Sequence, residues 1–315
     1  MQFKKPLFWD YKKPNLISNI LLPLTIPIKI NNFLINKKIK KKNSKIKTVC
    51  IGNIYLGGTG KTPTTISLYN ILKKLNKNIS TAKKFYTIQK DEHNLLKKTN
   101  LILGKTREEI ISKAIYLKKK ILIFDDGLQD KNINYDLKFV CFDSTKWVGN
   151  GRLIPSGPLR EKLESLRKYD GIFLKGKKKE SYRLIKLIKK TNPNIEIFNT
   201  KYEVLNSKIF NKKDKFLAFS GLGNADDFKK ILIENKFKII KEIIYPDHYQ
   251  YKKKDIKEIK ELAKKINAKI ITSEKDFVKV KEFDNKNIKF LRIELKIKNQ
   301  NKLFNFIKSK FYETN

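Results

Sequence analysis

At 315 residues the chain is long enough for two α/β domains, each with a core of its own. Its 72 Lys and Arg against 31 Asp and Glu leave a net charge of +41, which draws nucleic acid, an anionic membrane or a phosphorylated substrate; part of that excess is a lysine, asparagine and isoleucine bias running along the whole chain. Cys50 and Cys141, both in predicted strands, exclude a disulfide framework and fit a reducing compartment.

The first 43 residues stand apart. Leu16 to Ile35 reads LISNILLPLTIPIKINNFLI, an apolar run interrupted by Pro23, Pro27, Lys29, Asn31 and Asn32. It makes a poor continuous transmembrane helix, and no small-residue cleavage site follows it as in a signal peptide. NKKIKKKNSKIK comes next, a dense run of lysines from Lys37 to Lys47. An apolar segment beside a polybasic one suits a chain lying on an anionic bilayer. The competing reading is a helix packed on the following domain, with a solvated lysine linker.

Thr48 to Thr65, TVCIGNIYLGGTGKTPTT, carries the strongest chemistry. An apolar strand at Val49–Ile51 enters a loop with Gly57, Gly58, Thr59 and Gly60, reaches Lys61 and Thr62, and continues as a helix striped by Leu68, Ile71, Leu72 and Leu75. This is a P-loop: consecutive backbone N–H groups and the helix N-terminus cradle phosphate, Lys61 reaches the outer phosphates, and the Thr62 hydroxyl ligates Mg²⁺. Pro63 fits the first helical turn. The pattern departs from the usual one at Tyr55, where glycine is expected.

Lys77 to Lys120 is patterned more weakly. A short strand runs through Ile79 and Ala82, DEHNLLKK places His93 in a polar stretch as a surface histidine, and a helix spans Glu108 to Leu117. ILIFDDGLQD then gives a buried strand, Ile121 to Phe124, ending in Asp125 and Asp126. Acids at the carboxyl end of a strand that follows a P-loop hold Mg²⁺ and its waters. A further strand, Leu137 to Phe142, ends in Asp143, and WVGNGRLIPSGPLREKLESL joins a Gly/Pro-rich loop to a helix near Glu161. Arg152, Arg160 and Glu161 gather there, as in a substrate- or metal-binding loop or an ordinary crossover. A strand at Gly171–Leu174 and a helix over Tyr182–Ile188 close this half.

A second α/β unit starts near Asn206. Its strands are Phe216–Phe219, Ile239–Ile244, Lys269–Ile271 and Ile288–Leu295, its helix Asp255–Ile266, and Asn224 is placed to cap another helix. SGLGN, YPDHYQY and TSEKD follow three of the strands, where ligands of open α/β sheets sit. His248 lies in the second of these loops, a position that suits catalysis as well as a structural turn. Nucleic-acid binding gains no zinc spacing, helix-turn-helix cue or aromatic signature. NKKD at Asn211–Asp214 is similar to a guanine-reading motif but precedes a strand.

In family order, IGNIYLGGTGKTP, DDGLQ, GNGRLIPSGPLRE, FSGLGN, YPDHYQY and TSEKDFVK resemble the tetraacyldisaccharide 4'-kinases, over residues 5 to about 282. The resemblance implies an α/β fold with an N-terminal membrane-associating helical segment (1–43), a P-loop parallel-sheet kinase domain (44–205) and a smaller C-terminal α/β domain (206–315). It implies a monotopic enzyme on the cytoplasmic face of the inner membrane. That enzyme moves the γ-phosphoryl of ATP, with Mg²⁺, to the 4'-hydroxyl of a lipid A disaccharide 1-phosphate. By the same resemblance Lys61 and the loop amides hold phosphates, while Thr62, Asp125 and Glu161 serve Mg²⁺ or its waters. Asp126 supports that shell, Arg160 faces phosphate, and His248 removes the acceptor proton. No protein partner and no specific nucleic acid are implied.

Several positions depart from the family pattern. Asp130 stands for a histidine and Leu128 for an aromatic residue after the double aspartate. AKKFY replaces S-R-G-Y and its insert, and Thr106 replaces the aspartate that pairs with the catalytic histidine, leaving Asp130 and Asp91 as acids that could serve instead. The competing function is a membrane-associated P-loop switch or assembly ATPase, which would hydrolyse ATP without forming a phosphorylated lipid.

Overall fold

The computed structural model describes residues 5–37, 45–86, 90–130, 132–176, 178–222, 225–246, 249–283 and 285–312. It divides into two compact units. The larger follows Phe3–Phe85, Leu96–Lys201 and Leu295–Asn315, and the smaller follows Tyr86–Leu95 and Tyr202–Glu294.

The larger unit begins with a 3-10 turn at Leu7–Asp10, α1 (Leu16–Ile20), a second 3-10 turn at Pro23–Thr25, and α2 (Ile26–Lys37). β1 (Lys47–Gly52), α3 (Lys61–Leu72) and β2 (Ile79–Lys84) follow. α4 (Lys90–Leu96) comes next in the chain, then β3 (Ile102–Gly104), α5 (Arg107–Tyr116), β4 (Ile121–Asp125), β5 (Leu137–Asp143), β6 (Trp147–Asn150), β7 (Gly171–Lys175), α6 (Lys178–Thr191) and β8 (Glu196–Val204). The smaller unit carries β9 (Lys215–Ser220), α7 (Ala225–Glu234), β10 (Lys238–Ile244), α8 (Lys253–Lys265), β11 (Lys269–Ser273), α9 (Glu274–Val280) and β12 (Ile288–Leu291). The chain then rejoins the larger unit through β13 (Ile293–Ile297) and α10 (Gln300–Tyr312).

The large sheet has eight strands in the order β13-β8-β7-β5-β1-β4-β2-β3, and the pairings from β8 through to β3 are parallel. β1 and β4 read as continuous apolar runs because both their faces are covered, as central parallel strands require. From β1 the chain builds outward on one side through β4, β2 and β3, and on the other through β5. The carboxyl end of β1 is therefore a topological switch point, where α/β sheets bind ligands. Phe306 of α10 packs on Phe198 and Phe139 with ring centroids 5.6 and 6.2 Å apart, so α10 helps to close this core. Full burial, as of Leu303 and Ile307 on the same helix, is worth roughly 1.5–3 kcal/mol per side chain.

The smaller sheet runs β10-β9-β11-β12, all parallel. α8 lays Ile256, Ile259 and Ala263 against it and turns its lysines and glutamates outward. Tyr251 donates to Asp276 at 3.1 Å, and the Ser273 hydroxyl donates to the same carboxylate at 2.6 Å, so YPDHYQY and TSEKD are tied together at the carboxyl edge of this sheet.

Several elements differ from the sequence expectation for identifiable reasons. α3 stops at Leu72, and Leu75 lies half-buried in the turn beyond. The helix buries Thr62, Thr64, Thr65 and Ser67 as well as its leucines, so it is enclosed rather than amphipathic. The helix expected near Glu161 is a 3-10 helix, Leu163–Lys168. The expected strand Ile288–Leu295 breaks at Arg292 into β12 and β13, which belong to different sheets; Asn206 holds the break by accepting from the Arg292 amide at 2.8 Å. His93, expected at the surface, is buried on α4. The Asn224 cap lies outside the described residues.

The N-terminal segment is amphipathic in the wrong sense for a water-facing helix. Ser18 and Thr25 are buried, whereas Leu16, Ile17, Ile20, Leu24, Ile26, Ile30, Phe33 and Leu34 are exposed. Among the described residues no helix is long and apolar enough to cross a membrane. α2 has 12 residues. At about 1.5 Å per residue that falls well short of a hydrocarbon core of about 30 Å.

Candidate active site

Gly60 precedes α3 with φ at +85°, a conformation open to glycine, and so swings the chain from the loop into the helix that begins at Lys61. Asn53 braces the loop from inside, its amide donating to the Gly57 carbonyl at 3.1 Å and to the Thr59 hydroxyl at 3.2 Å. Gly57 and Gly58 form the open turn between these braces. Tyr55 needs no glycine conformation, because it sits in an extended bridge with Leu159. The Leu56 amide donates to the Pro158 carbonyl at 2.8 Å and the Arg160 amide donates to the Ile54 carbonyl at 2.7 Å. The GNGRLIPSGPLRE loop is thus zipped onto the P-loop, and that pairing delivers Arg160.

β4 lies beside β1 with Asp125 opposite Ile51. Asp125 is 1% exposed. Its Oδ2 accepts from the Thr62 hydroxyl at 2.8 Å and from Lys83 Nζ at 2.6 Å, and its Oδ1 accepts from the Thr65 hydroxyl at 3.3 Å. Asp126 follows in the left-handed region with φ at +63°, held by its amide to the Ile51 carbonyl and by Arg107 donating to its carbonyl. Lys61 Nζ stands 3.5 Å from Asp126 Oδ2, and Arg160 stands 3.5 Å from Oδ1. Burial pushes this carboxyl upward, but Lys61, Arg160, Lys83 and Arg107 together hold it below its ordinary value, so it stays ionised.

Glu161 is bound by three donors: Tyr169 at 2.9 Å, Gln129 at 3.1 Å and Lys168 at 3.3 Å. Gln129 also accepts from Arg160 at 3.3 Å and donates to the Asn53 carbonyl at 3.1 Å. Glu161 therefore joins the site through Gln129 and Arg160, while Thr62 and Asp125 meet directly. Thr106 caps α5, accepting from the Glu109 amide at 3.1 Å. Asp130 pairs with Arg107 at 2.7 Å. His248 and the side chain of Asp91 lie outside the described residues. Gln129 and Lys83 went unassigned in the sequence, the DDGLQ run being the signal for the first, and Tyr55 stood there only as a missing glycine.

The oxygen set suits a hard cation. A hydroxyl and a carboxylate converge at Thr62 and Asp125, and Asp126 Oδ1 is buried with no hydrogen bond. Among the described residues no group of three His, Cys, Asp or Glu could hold a metal unaided, so Mg²⁺ here would draw its remaining ligands from water and phosphate. Cys50 and Cys141 are buried, and burial pushes both thiols upward, away from the reactive thiolate.

The same loop also anchors the N-terminal segment. Trp9 is 1% exposed and donates to the Pro155 carbonyl at 2.9 Å. A Cβ on Gly149 would lie 2.2 Å from the Trp9 carbonyl oxygen, so glycine is required there. Ser18 donates to the Ser156 carbonyl at 2.6 Å, Asn150 donates to both at 3.1 and 3.0 Å, and Asn32 donates to the Arg160 carbonyl at 2.9 Å. Lys5, Asp10 and Tyr55 form a second tie. Asn150→Ala, which removes a donor to the Ser18 hydroxyl and the Ser156 carbonyl and takes away the acceptor of the Arg152 amide, is expected to destabilise the protein by about 1–3 kcal/mol; an unchanged urea midpoint would show the polar recess to be idle.

The tetraacyldisaccharide-1-P 4'-kinase family model matches residues 18–312. A tetraacyldisaccharide 4'-kinase of Pelagibacter ubique (strain HTCC1062) is 44% identical, with 97% of each chain covered. Its counterpart in Rickettsia bellii (strain OSU 85-389) is 33% identical over 95% of this chain and 96% of that one. Among solved structures, the "apo" form of LpxK from Aquifex aeolicus, in complex with ATP, shares the fold with a TM-score of 0.68 at 23% identity, covering 94% of this chain and all of its own. With a whole-length family match and a P-loop, double aspartate and arginine loop assembled on one sheet edge, this chain belongs to the tetraacyldisaccharide-1-P 4'-kinase family.

Proposed function

We propose that this protein transfers the γ-phosphoryl group of ATP to the 4'-hydroxyl of a tetraacyl glucosamine disaccharide 1-phosphate, the lipid A precursor. The observation that carries this reading is the union of the P-loop with the GNGRLIPSGPLRE loop, which sets Lys61 and Arg160 on either oxygen of Asp126. Two cations converging on one point suit the charge of a transferring phosphoryl group, whose transfer needs neutralisation and in-line positioning more than covalent chemistry. The amides of residues 57–60 orient the phosphate chain, and Gln129 holds Arg160 to its task. Thr62 and Asp125 would hold Mg²⁺, which would supply neutralisation of phosphate charge. Incubation with ATP, Mg²⁺ and the disaccharide 1-phosphate should give a product whose new phosphate mass spectrometry locates at the 4' position. ATP consumption without that product would favour a switch ATPase.

For proton removal from the acceptor hydroxyl we assign His248, on its motif alone. Thr106 carries no charge with which to back that histidine and its hydroxyl caps α5, and Asp130 is paired to Arg107. We take the histidine to run as a weaker base than one backed by a carboxylate, with Asp91 the acid that would replace the missing aspartate otherwise. His248→Ala is expected to cost about 10²-fold in kcat. Wild-type turnover in that variant would remove the assignment.

The exposed apolar side chains of α1 and α2, followed by the lysine run, support a peripheral position on the cytoplasmic face of the inner membrane. Each lysine adds on the order of 1 kcal/mol at an anionic surface, screened by salt. Deleting residues 1–36 is expected to release much of the protein from anionic vesicles in a sedimentation assay; full retention would place the anchor elsewhere.

A further inference from the structure

β2, an interior strand between β4 and β3, ends in Lys83 and Lys84, and the first of these lysines is buried. β2 pairs with β4, Ala82 opposite Phe124, so the next residue on β2 comes out beside Asp125. Lys83 is 3% exposed, and its Nζ lies 2.6 Å from Asp125 Oδ2. That oxygen is the one that also accepts the Thr62 hydroxyl at 2.8 Å. The ammonium therefore stands against the pair of oxygens best suited to a divalent cation.

We propose that Lys83 is a positioning residue that closes the Thr62–Asp125 pair to free divalent metal, so that the metal enters with the nucleotide. The inference rests on the phosphoryl-transfer reading of this site. A buried carboxylate needs a compensating charge. Without nucleotide Lys83 supplies it, and a metal ion arriving alone must displace or adjoin an ammonium of the same sign in a place where water screens little. Nucleotide changes the balance, because its phosphate oxygens give the ammonium a second acceptor and bring further ligands for the metal. The same pair would hold Asp125 in register between turnovers.

The test uses Mn²⁺ as a spectroscopic probe, with free ion counted by electron paramagnetic resonance against the full-length protein and no nucleotide. Wild type should bind weakly, Lys83→Met should bind about tenfold more tightly, within the usual size of coupling between two ligands of one site, and adding Asp125→Asn should abolish the gain. Lys83→Arg, which keeps the charge, should behave as wild type. Equal Mn²⁺ binding by wild type and Lys83→Met would overturn the proposal. Should Lys83→Met fail to fold, wild type against Asp125→Asn still decides. The two should match without nucleotide and diverge with adenylyl imidodiphosphate, whereas a wild-type site that binds Mn²⁺ alone and loses it in Asp125→Asn would refute the closure. Because no lipid is present, failure here is distinct from failure of the kinase reading, which would show as absence of phosphorylated lipid.

Discussion

Lys61→Ala is expected to lower turnover by about 10³-fold or more while leaving the protein folded. Lys61 opens α3, and its ammonium is partly exposed and faces Asp126 at 3.5 Å. The core does not depend on it, and Asp126 retains Arg160 as a partner. The loss should therefore fall on catalysis. It should fall on kcat more than on KM for ATP, because the ammonium matters most when negative charge migrates during transfer and the loop amides still hold the phosphates of the ground state. Steady-state kinetics beside a circular dichroism spectrum give both readings, and a folded variant with near-normal kcat would remove the phosphoryl-transfer assignment from this loop.

Asp125→Ala is expected to do more damage to the fold than to the metal site alone. It removes the carboxylate to which Thr62, Thr65 and Lys83 all donate, and it leaves the Lys83 ammonium without that partner at 3% exposure. Removing one partner of a buried ion pair costs about 3–5 kcal/mol, mostly through the charge left behind. Activity should fall to background, and the urea midpoint should drop with it. The double variant Asp125→Ala/Lys83→Met should recover much of the stability and none of the activity, since it removes the uncompensated ammonium that makes the single variant costly. If the double variant is as unstable as the single one, the stability lies in the hydroxyl contacts instead.

The P-loop, the double aspartate and their strands were legible because their chemistry constrains the residue types: Gly60 for a positive φ, Lys61 and Thr62 for phosphate and metal, an apolar run for a strand covered on both faces. Tyr55 was legible only as an anomaly. Its explanation is an extended pairing with Leu159, a contact far away in sequence. Lys83 carried no signal among so many lysines, because its meaning comes from the register of β2 on β4 and not from its neighbours in the chain. His93 misled because its polar neighbours suggested a surface, whereas a helix sends adjacent residues to different faces. The break at Arg292 was hidden for a similar reason: two short strands in line have the same apolar pattern as one longer strand.

The N-terminal segment is held to the body by hydrogen bonds around Ser18, Asn32 and Trp9, and it presents Leu16, Ile17, Ile20, Leu24, Ile26, Ile30, Phe33 and Leu34 outward. This reverses the usual colloidal behaviour of a highly charged protein. A net charge of +41 should keep copies apart, and it does so only while the ionic atmosphere is dilute. Raising the salt shortens the reach of that repulsion and leaves the attraction between greasy faces untouched. Without detergent or lipid, concentrated protein should thus self-associate more as salt is added, and a mild amphiphile that coats α1 and α2 should disperse it without loosening the fold.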